Sequence, residues 1–250
     1  MSPSSIESPG KGRRAEEMAS WYFRLNGFLQ LPGFVLHSEV AGRQITDADI
    51  IAVRFPHSHE VLHDVRMTDD RWISQVSTPS QILFVIGEVK TSTCTINGPW
   101  TNRSQRTMEK VIQRIGFLPG EMASSIAESL YNQMYWGNEQ FVVQYVALGE
   151  SPNRELARSH HKLRQILWSD VAAFMFERFN AFGYIKGVPP QWPQFGKLFA
   201  NAMREGRIHS VQDAYVFIKS HIENGPTRQK PEQQERLPDS KSDQGGLDGE

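Results

Sequence analysis

Asp47-Ala48-Asp49-Ile50-Ile51-Ala52-Val53 and, further along, Ile82-Leu83-Phe84-Val85-Ile86-Gly87-Glu88-Val89-Lys90 are the two stretches on which the reading of this chain turns. Each is a strand-length run of aliphatic and β-branched residues, dense enough to be covered on both faces. Polar groups stand only at their ends: acids open the first run, and Glu88 and Lys90 close the second. Side chains alternate along a strand, so Glu88 and Lys90 share one face while Val89 takes the other, and Asp47 shares a face with Asp49. If the two strands pair antiparallel across their long connection, the start of the first lies beside the end of the second, and Asp49 meets Glu88. Two carboxylates and an ammonium then converge at one end of a buried sheet.

Adjacent buried carboxylates repel, and each costs free energy to desolvate. A hard divalent cation offsets that cost; Mg²⁺ takes oxygen ligands, commonly one or two carboxylates together with water and substrate phosphate. A lysine beside such an ion can orient or deprotonate an attacking water, a constellation suited to phosphodiester hydrolysis. By itself, Glu-x-Lys reads far more readily as a solvated strand pair, with Asp49 a turn residue.

Around these strands the first 150 residues alternate strand and helix patterns. Strands are expected over Phe34–Val40, Asp49–Phe55, Ile82–Lys90 and Gln140–Leu148, and helices over Arg13–Asn26, Arg103–Ile115 and Glu121–Tyr135. Beyond residue 150 the pattern is helical throughout: Arg154–Leu167, Ser169–Phe182, Gln194–Arg204 and Ser210–Glu223, punctuated by Pro189, Pro190 and Pro193. The expected architecture is α/β, a mixed central sheet flanked by helices, with residues 11–150 as core and 151–223 as a helical extension packed on it. Residues 1–10 and 224–250 are expected to be disordered. The latter carry no aromatic residue and only two large aliphatics, too little apolar surface to offset the entropy of ordering.

The ordered set of motifs resembles the PD-(D/E)XK nuclease superfamily, the restriction-endonuclease-like fold. The matching residues are Ala15-Glu16-x-x-Ala19 in a first helix, Asp47-Ala48-Asp49-Ile50-Ile51-Ala52, and Phe84-Val85-Ile86-Gly87-Glu88-Val89-Lys90, in the order helix, strand, acid-bearing strand, E-x-K strand, helices, strand. The resemblance covers roughly residues 11–150. No proline precedes either aspartate, which departs from the name-giving motif. The resemblance implies Asp49 and Glu88 as metal ligands, Asp47 as a second candidate ligand, Lys90 as the water-positioning group and Glu16 as an assisting acid. It implies Mg²⁺, with Mn²⁺ able to substitute, and cleavage of DNA, double-stranded by preference, to a 5′-phosphate and a 3′-hydroxyl. The alternative is an inactive nuclease-fold subunit that binds nucleic acid or scaffolds a partner. Helical spacing supports Glu16 over Glu17: Ala15, Met18, Ala19, Tyr22 and Leu25 form the apolar stripe, Glu16 borders it, and Glu17 points away.

Basic residues recur at helical spacing. Arg103, Arg106, Lys110 and Arg114 would form one cationic ridge opposite Met108, Val111, Ile112 and Ile115; Arg154, Arg158 and Lys162 would form another. Either is a natural phosphate contact beside a nuclease site, or simply a solvated face. Trp100, in the loop after Lys90, is a candidate aromatic contact to substrate. His57-x-His59-x-x-x-His63 with Asp64 resembles the metallo-hydrolase pattern H-x-H-x-D-H, but Val61-Leu62 replaces its spacing, so a polar loop is the better reading. The aromatic run Val171–Phe179 reads as core, and no glycine-rich phosphate loop or dinucleotide fingerprint occurs.

Composition narrows the rest. With 27 basic and 28 acidic residues in 250, the chain is not a wholly basic nucleic-acid coat; without residues 224–250 it carries 23 basic and 22 acidic groups. A single cysteine, Cys94, excludes an intrachain disulfide and any multi-cysteine metal site. Residues 1–12 carry no signal-peptide-like apolar stretch, and no run is long enough to span a membrane. A cytoplasmic protein with no membrane partner is expected; a homodimer or a larger complex stays open.

Overall fold

A computed structural model describes residues 10–37, 42–62, 64–183, 187 and 191–225. The elements are α1 (Lys11–Leu25), β1 (Leu29–His37), β2 (Gln44–Arg54), β3 (Val61–Leu62), β4 (Val65–Arg66), α2 (Arg71–Val76), β5 (Ile82–Val89), α3 (Gly98–Thr101), α4 (Thr107–Ile115), α5 (Ala123–Gln133), β6 (Tyr135–Gly137), β7 (Phe141–Gly149), α6 (Arg154–Ser159), β8 (Arg164–Leu167), α7 (Trp168–Phe182), α8 (Gln194–Arg204) and α9 (Val211–Asn224). The sheet runs β1-β2-β5-β7-β6, with β8 also on β7. β1, β2 and β5 are antiparallel neighbours, and β7 returns parallel to β5 through α3, α4 and α5. This is a mixed sheet with helices on both faces.

The β5 and β7 sequences are apolar throughout because both faces are covered. On one face Leu83, Val85 and Val89 pack with Val142, Val146 and Leu148 against α1, α7, α8 and α9. On the other, Phe84 and Ile86 pack with Val143 and Tyr145 against α4 and α5. The outer edge of β7 is divided between two partners: β6 pairs antiparallel with Val142–Gln144, and β8 runs parallel to Val146–Gly149. Gln144 sits buried at the junction, its amide NH₂ shared among the carbonyls of Met134 (3.1 Å), Tyr145 (2.7 Å) and Lys162 (3.0 Å).

Two sequence expectations change here. The span Arg154–Leu167 is not one helix: α6 ends at Ser159, and Arg164–Leu167 is a sheet strand. Periodicity favoured a helix, but the free upper edge of β7 recruits this segment, and Gln165 locks it by exchanging hydrogen bonds with the backbone of Asn153. Residues beyond 150 therefore complete the sheet as well as covering it. The connection between β2 and β5 is also more ordered than a polar loop, holding the β3–β4 hairpin and α2. His63, residues 38–40 of the first expected strand, Pro189 and Pro190, and the supposedly disordered 1–9 and 226–250 lie outside the described residues; Asn224 ends α9.

Helix α1 is buried nearly all round, beyond its apolar stripe, because α8 and α9 cover its other side. Trp21 meets Trp192 edge-on at 5.2 Å, and a Cβ at Gly196 would come within 1.9 Å of the Trp21 ring, so α8 can cross there only with glycine. Glu17, expected to point away, instead accepts from the Phe195 N–H (3.2 Å) and faces His221 across 3.9 Å.

Candidate active site

The site forms where β2 and β5 part. Their last ladder pair is Ile50–Gly87, and the next positions along the two strands are Asp49 and Glu88. On the other side of β2 the pairing steps from Pro32–Ile50 to Phe34–Ala48, passing over Gly33, whose φ is 61°, and Asp49. Ile50 and Ala52 pack in the cluster under α1, whereas Ala48 and Ile51 pack in the cluster under α4, and the β1–β2 register runs on unchanged past Asp49. The Asp49 carboxylate accepts the Val89 N–H of β5 at 2.6 Å, taking the place of a backbone acceptor where the strands diverge. Asp47 stays close enough for its charge to raise both Asp49 and Glu16.

Glu88 and Lys90 share a face. The Lys90 ammonium donates to Glu88 Oε1 and to Asn97 Oδ1 (3.2 Å), while Val89 packs among the residues facing α1. Glu88 is 0% exposed, and its second oxygen accepts from the Tyr145 hydroxyl at 3.3 Å. Burial pushes the Glu88 carboxyl up to about 7; the Asp49 charge adds to that, against the hydrogen bonds from Lys90 and Tyr145. Asp49 is also raised, by burial first, with Val89 N–H and Lys90 pulling the other way. Glu16 is raised by burial and then by the charges of Asp49 and Asp47, which places it over the same cluster from α1. Three acids with raised values around one lysine make a site short of positive charge.

Indole groups fix the surrounding backbone. Trp168 Nε1 donates to the Lys90 carbonyl (3.1 Å), and Trp100 Nε1 to the Asp47 carbonyl (3.2 Å). Trp100 is fully buried and packs edge-on against Tyr145 at 5.7 Å, so it braces the site and does not offer a face to substrate. Tyr145 and Asn97 were missed from sequence. Tyr145 was within reach, since the parallel register sets it opposite Ile86, one step on the same face from Glu88. Asn97 has no such signal.

The cationic ridges do not form as spaced. Arg103 belongs to a separate 3₁₀ turn and donates to Glu128 at 2.6 Å. Arg106 is left-handed, with φ 52°, and pairs with Glu109 at 2.7 Å; α4 begins only after it. Arg114 donates to the His37 carbonyl (3.0 Å), leaving Lys110 on the helix proper. The break arises because the Asn102 side chain caps Ser104 N and starts the short turn. In the second group, Arg154 and Arg158 lie on the short α6, whereas Lys162 is past its end with its ammonium 4.6 Å from the Tyr135 ring centre. A small open pocket of about 210 Å³ next to Lys90 is lined by Lys11, Thr91, Ser92 and Lys219, among others; Lys219 pairs with Glu150 at 2.8 Å.

Among the described residues, no group of three or more His, Cys, Asp or Glu side chains is arranged to hold a metal ion. Asp49 and Glu88 nevertheless fit a hard cation that takes two carboxylates and fills its other positions with water and phosphate, because both are oxygen donors in a buried, electron-rich setting. Cys94 is buried with its thiol pushed up to about 11, which excludes it as a ready nucleophile. No helix among the described residues is long and apolar enough to cross a membrane. The fold and site define an α/β protein with a mixed sheet and an acid–lysine cluster at one strand end. No family model, curated protein or solved structure matches the chain.

Proposed function

We propose that the chain is a metal-dependent nuclease of the restriction-endonuclease-like type, hydrolysing phosphodiester bonds of DNA. The observation that supports this most strongly is the register: the β2–β5 ladder ends where Asp49 and the buried Glu88 come next, with Lys90 bonded to Glu88. Asp49 and Glu88 would hold Mg²⁺ or Mn²⁺, which when bound polarises the phosphoryl oxygen and lowers the pKa of water. Lys90 holds Glu88 oriented and balances its charge; released toward substrate, its ammonium orients a water or a phosphate oxygen. Tyr145 fixes the second Glu88 oxygen, and Glu16 adds negative charge from α1. Lys11, Thr91 and Ser92, beside Lys90, supply a cation and two hydroxyls suited to a neighbouring phosphate.

A second reading, an inactive subunit of the same fold that binds nucleic acid or scaffolds a partner, is favoured by one feature: both Glu88 oxygens and one Asp49 oxygen already have protein partners. Incubation with plasmid, linear and single-stranded DNA plus Mg²⁺ or Mn²⁺, beside Lys90→Ala, separates the two. Cleavage by the wild type that the variant lacks supports the nuclease; no cleavage of any substrate favours the inactive subunit.

A further inference from the structure

On the α1 side of the sheet, an open pocket of about 770 Å³ lies between α2, β8 and α7. That volume falls in the range of small-molecule sites. Four arginines line it: Arg178 on α7, which pairs with Glu60 and Asp69, and Arg66 on β4, Arg71 on α2 and Arg164 on β8 from three other elements. The last three set the pocket's character. None of these three makes an ion pair among the described residues. Arg164 has one side-chain partner, Gln75 at 3.3 Å, and its Nε–H is shielded from water without an acceptor. A buried donor left unmade costs free energy, and three unpaired arginines around one hollow cost more through mutual repulsion.

Asp69, Asp70, Asp170 and Glu177 share the lining, and among the described residues none of them forms an ion pair with Arg66, Arg71 or Arg164. Asp69 pairs with Arg54, and Asp70 accepts from the Tyr22 hydroxyl (2.6 Å) while capping α2. Asp170 accepts the Leu167 N–H at 3.1 Å. Glu177 is exposed at the rim. Met67, Ala173, Phe174 and Ala181 add apolar surface to the lining. The floor is rigid, since Tyr22, Asn26, Asp70 and Trp72 form one hydrogen-bond network that ties α2 to α1.

We propose that this pocket binds a phosphorylated small molecule of nucleotide size, its phosphate held by Arg66, Arg71 and Arg164 and its planar or apolar part lying against Phe174 and Met67. Arginine forks match phosphate oxygens bidentately, and a bound phosphate would give the Arg164 Nε–H its acceptor. The site is separate from Asp49, Glu88 and Lys90 and does not rest on the nuclease reading.

The test is calorimetric titration of the full chain with adenosine 5′-monophosphate and with adenosine, in chelator so that no metal site contributes. Saturable binding of the monophosphate, with adenosine at least tenfold weaker, is expected. Arg164→Gln and Arg71→Gln should each weaken the monophosphate at least tenfold with unchanged melting temperature, and Glu88→Ala should bind it like wild type. No binding at millimolar monophosphate overturns the proposal, as does affinity unaltered in both arginine variants. Duplex DNA that displaces the monophosphate and loses affinity in Arg164→Gln would also overturn it, reassigning the arginines to a nucleic-acid track.

Discussion

Replacing Glu88 by Gln tests the site through stability alone. In the folded protein its carboxyl titrates at about 7, against 4.5 for an unperturbed glutamate. Between those values the folded state holds a proton that the unfolded state has released, so stability falls as pH rises through this window. Integrated from pH 5 to pH 8, the loss is about 2–3 kcal/mol. Glutamine keeps the shape and an acceptor for Lys90 but cannot ionise. Any constant cost of the substitution cancels when the two pH values are compared, so the variant should gain about 2–3 kcal/mol on wild type between pH 5 and pH 8. For a chain of this size that corresponds to a relative rise of roughly 5–10 °C in melting temperature. The assay is thermal or urea unfolding in chelator at several pH values. Parallel wild-type and variant curves would refute the burial argument for Glu88. Adding Mg²⁺ at pH 8 should narrow the gap, because the ion binds the ionised carboxylate of the wild type.

Lys90→Ala should abolish DNA cleavage with an unchanged far-UV circular dichroism spectrum, and turnover at the wild-type rate would strip the lysine of its role. Tyr145→Phe removes a hydrogen bond that stabilises ionised Glu88, so the acid limb of the pH–cleavage profile should move to higher pH; an unmoved limb would mean that the hydroxyl does not hold Glu88. Gly196→Ala should lower stability by about 1–3 kcal/mol by forcing α8 off the Trp21 ring, measured by urea denaturation, and a neutral result would contradict that crossing. Replacing Arg106 and Lys110 together by Gln should leave the salt dependence of DNA binding nearly unchanged, since Arg106 is tied to Glu109; a fall in slope of about 2 would restore the ridge.

Strand periodicity determined a good deal of this protein from sequence alone. The apolar runs 49–53 and 82–89 could be buried only in a sheet covered on both faces, and alternation alone put Glu88 and Lys90 on one side. The α1 stripe was likewise legible, as was the core character of α7, because each depends on local spacing. What spacing could not give was anything set by a distant partner. Arg164–Leu167 carries a helix-compatible pattern, yet it is a strand because β7 has a free edge there; Arg103–Ile115 breaks at Arg106 because Asn102 caps a turn of its own. Asp49 reaches Val89 only because the β2–β5 ladder ends at Ile50–Gly87, and the arginines of the α2–β8–α7 pocket, far apart in sequence, meet only when those elements pack. The sequence by itself determined which residues had to be buried and which acids stood at strand ends. Tertiary structure decided which of them meet, because unpaired strand edges and buried polar groups must be satisfied by whatever the rest of the chain brings within reach.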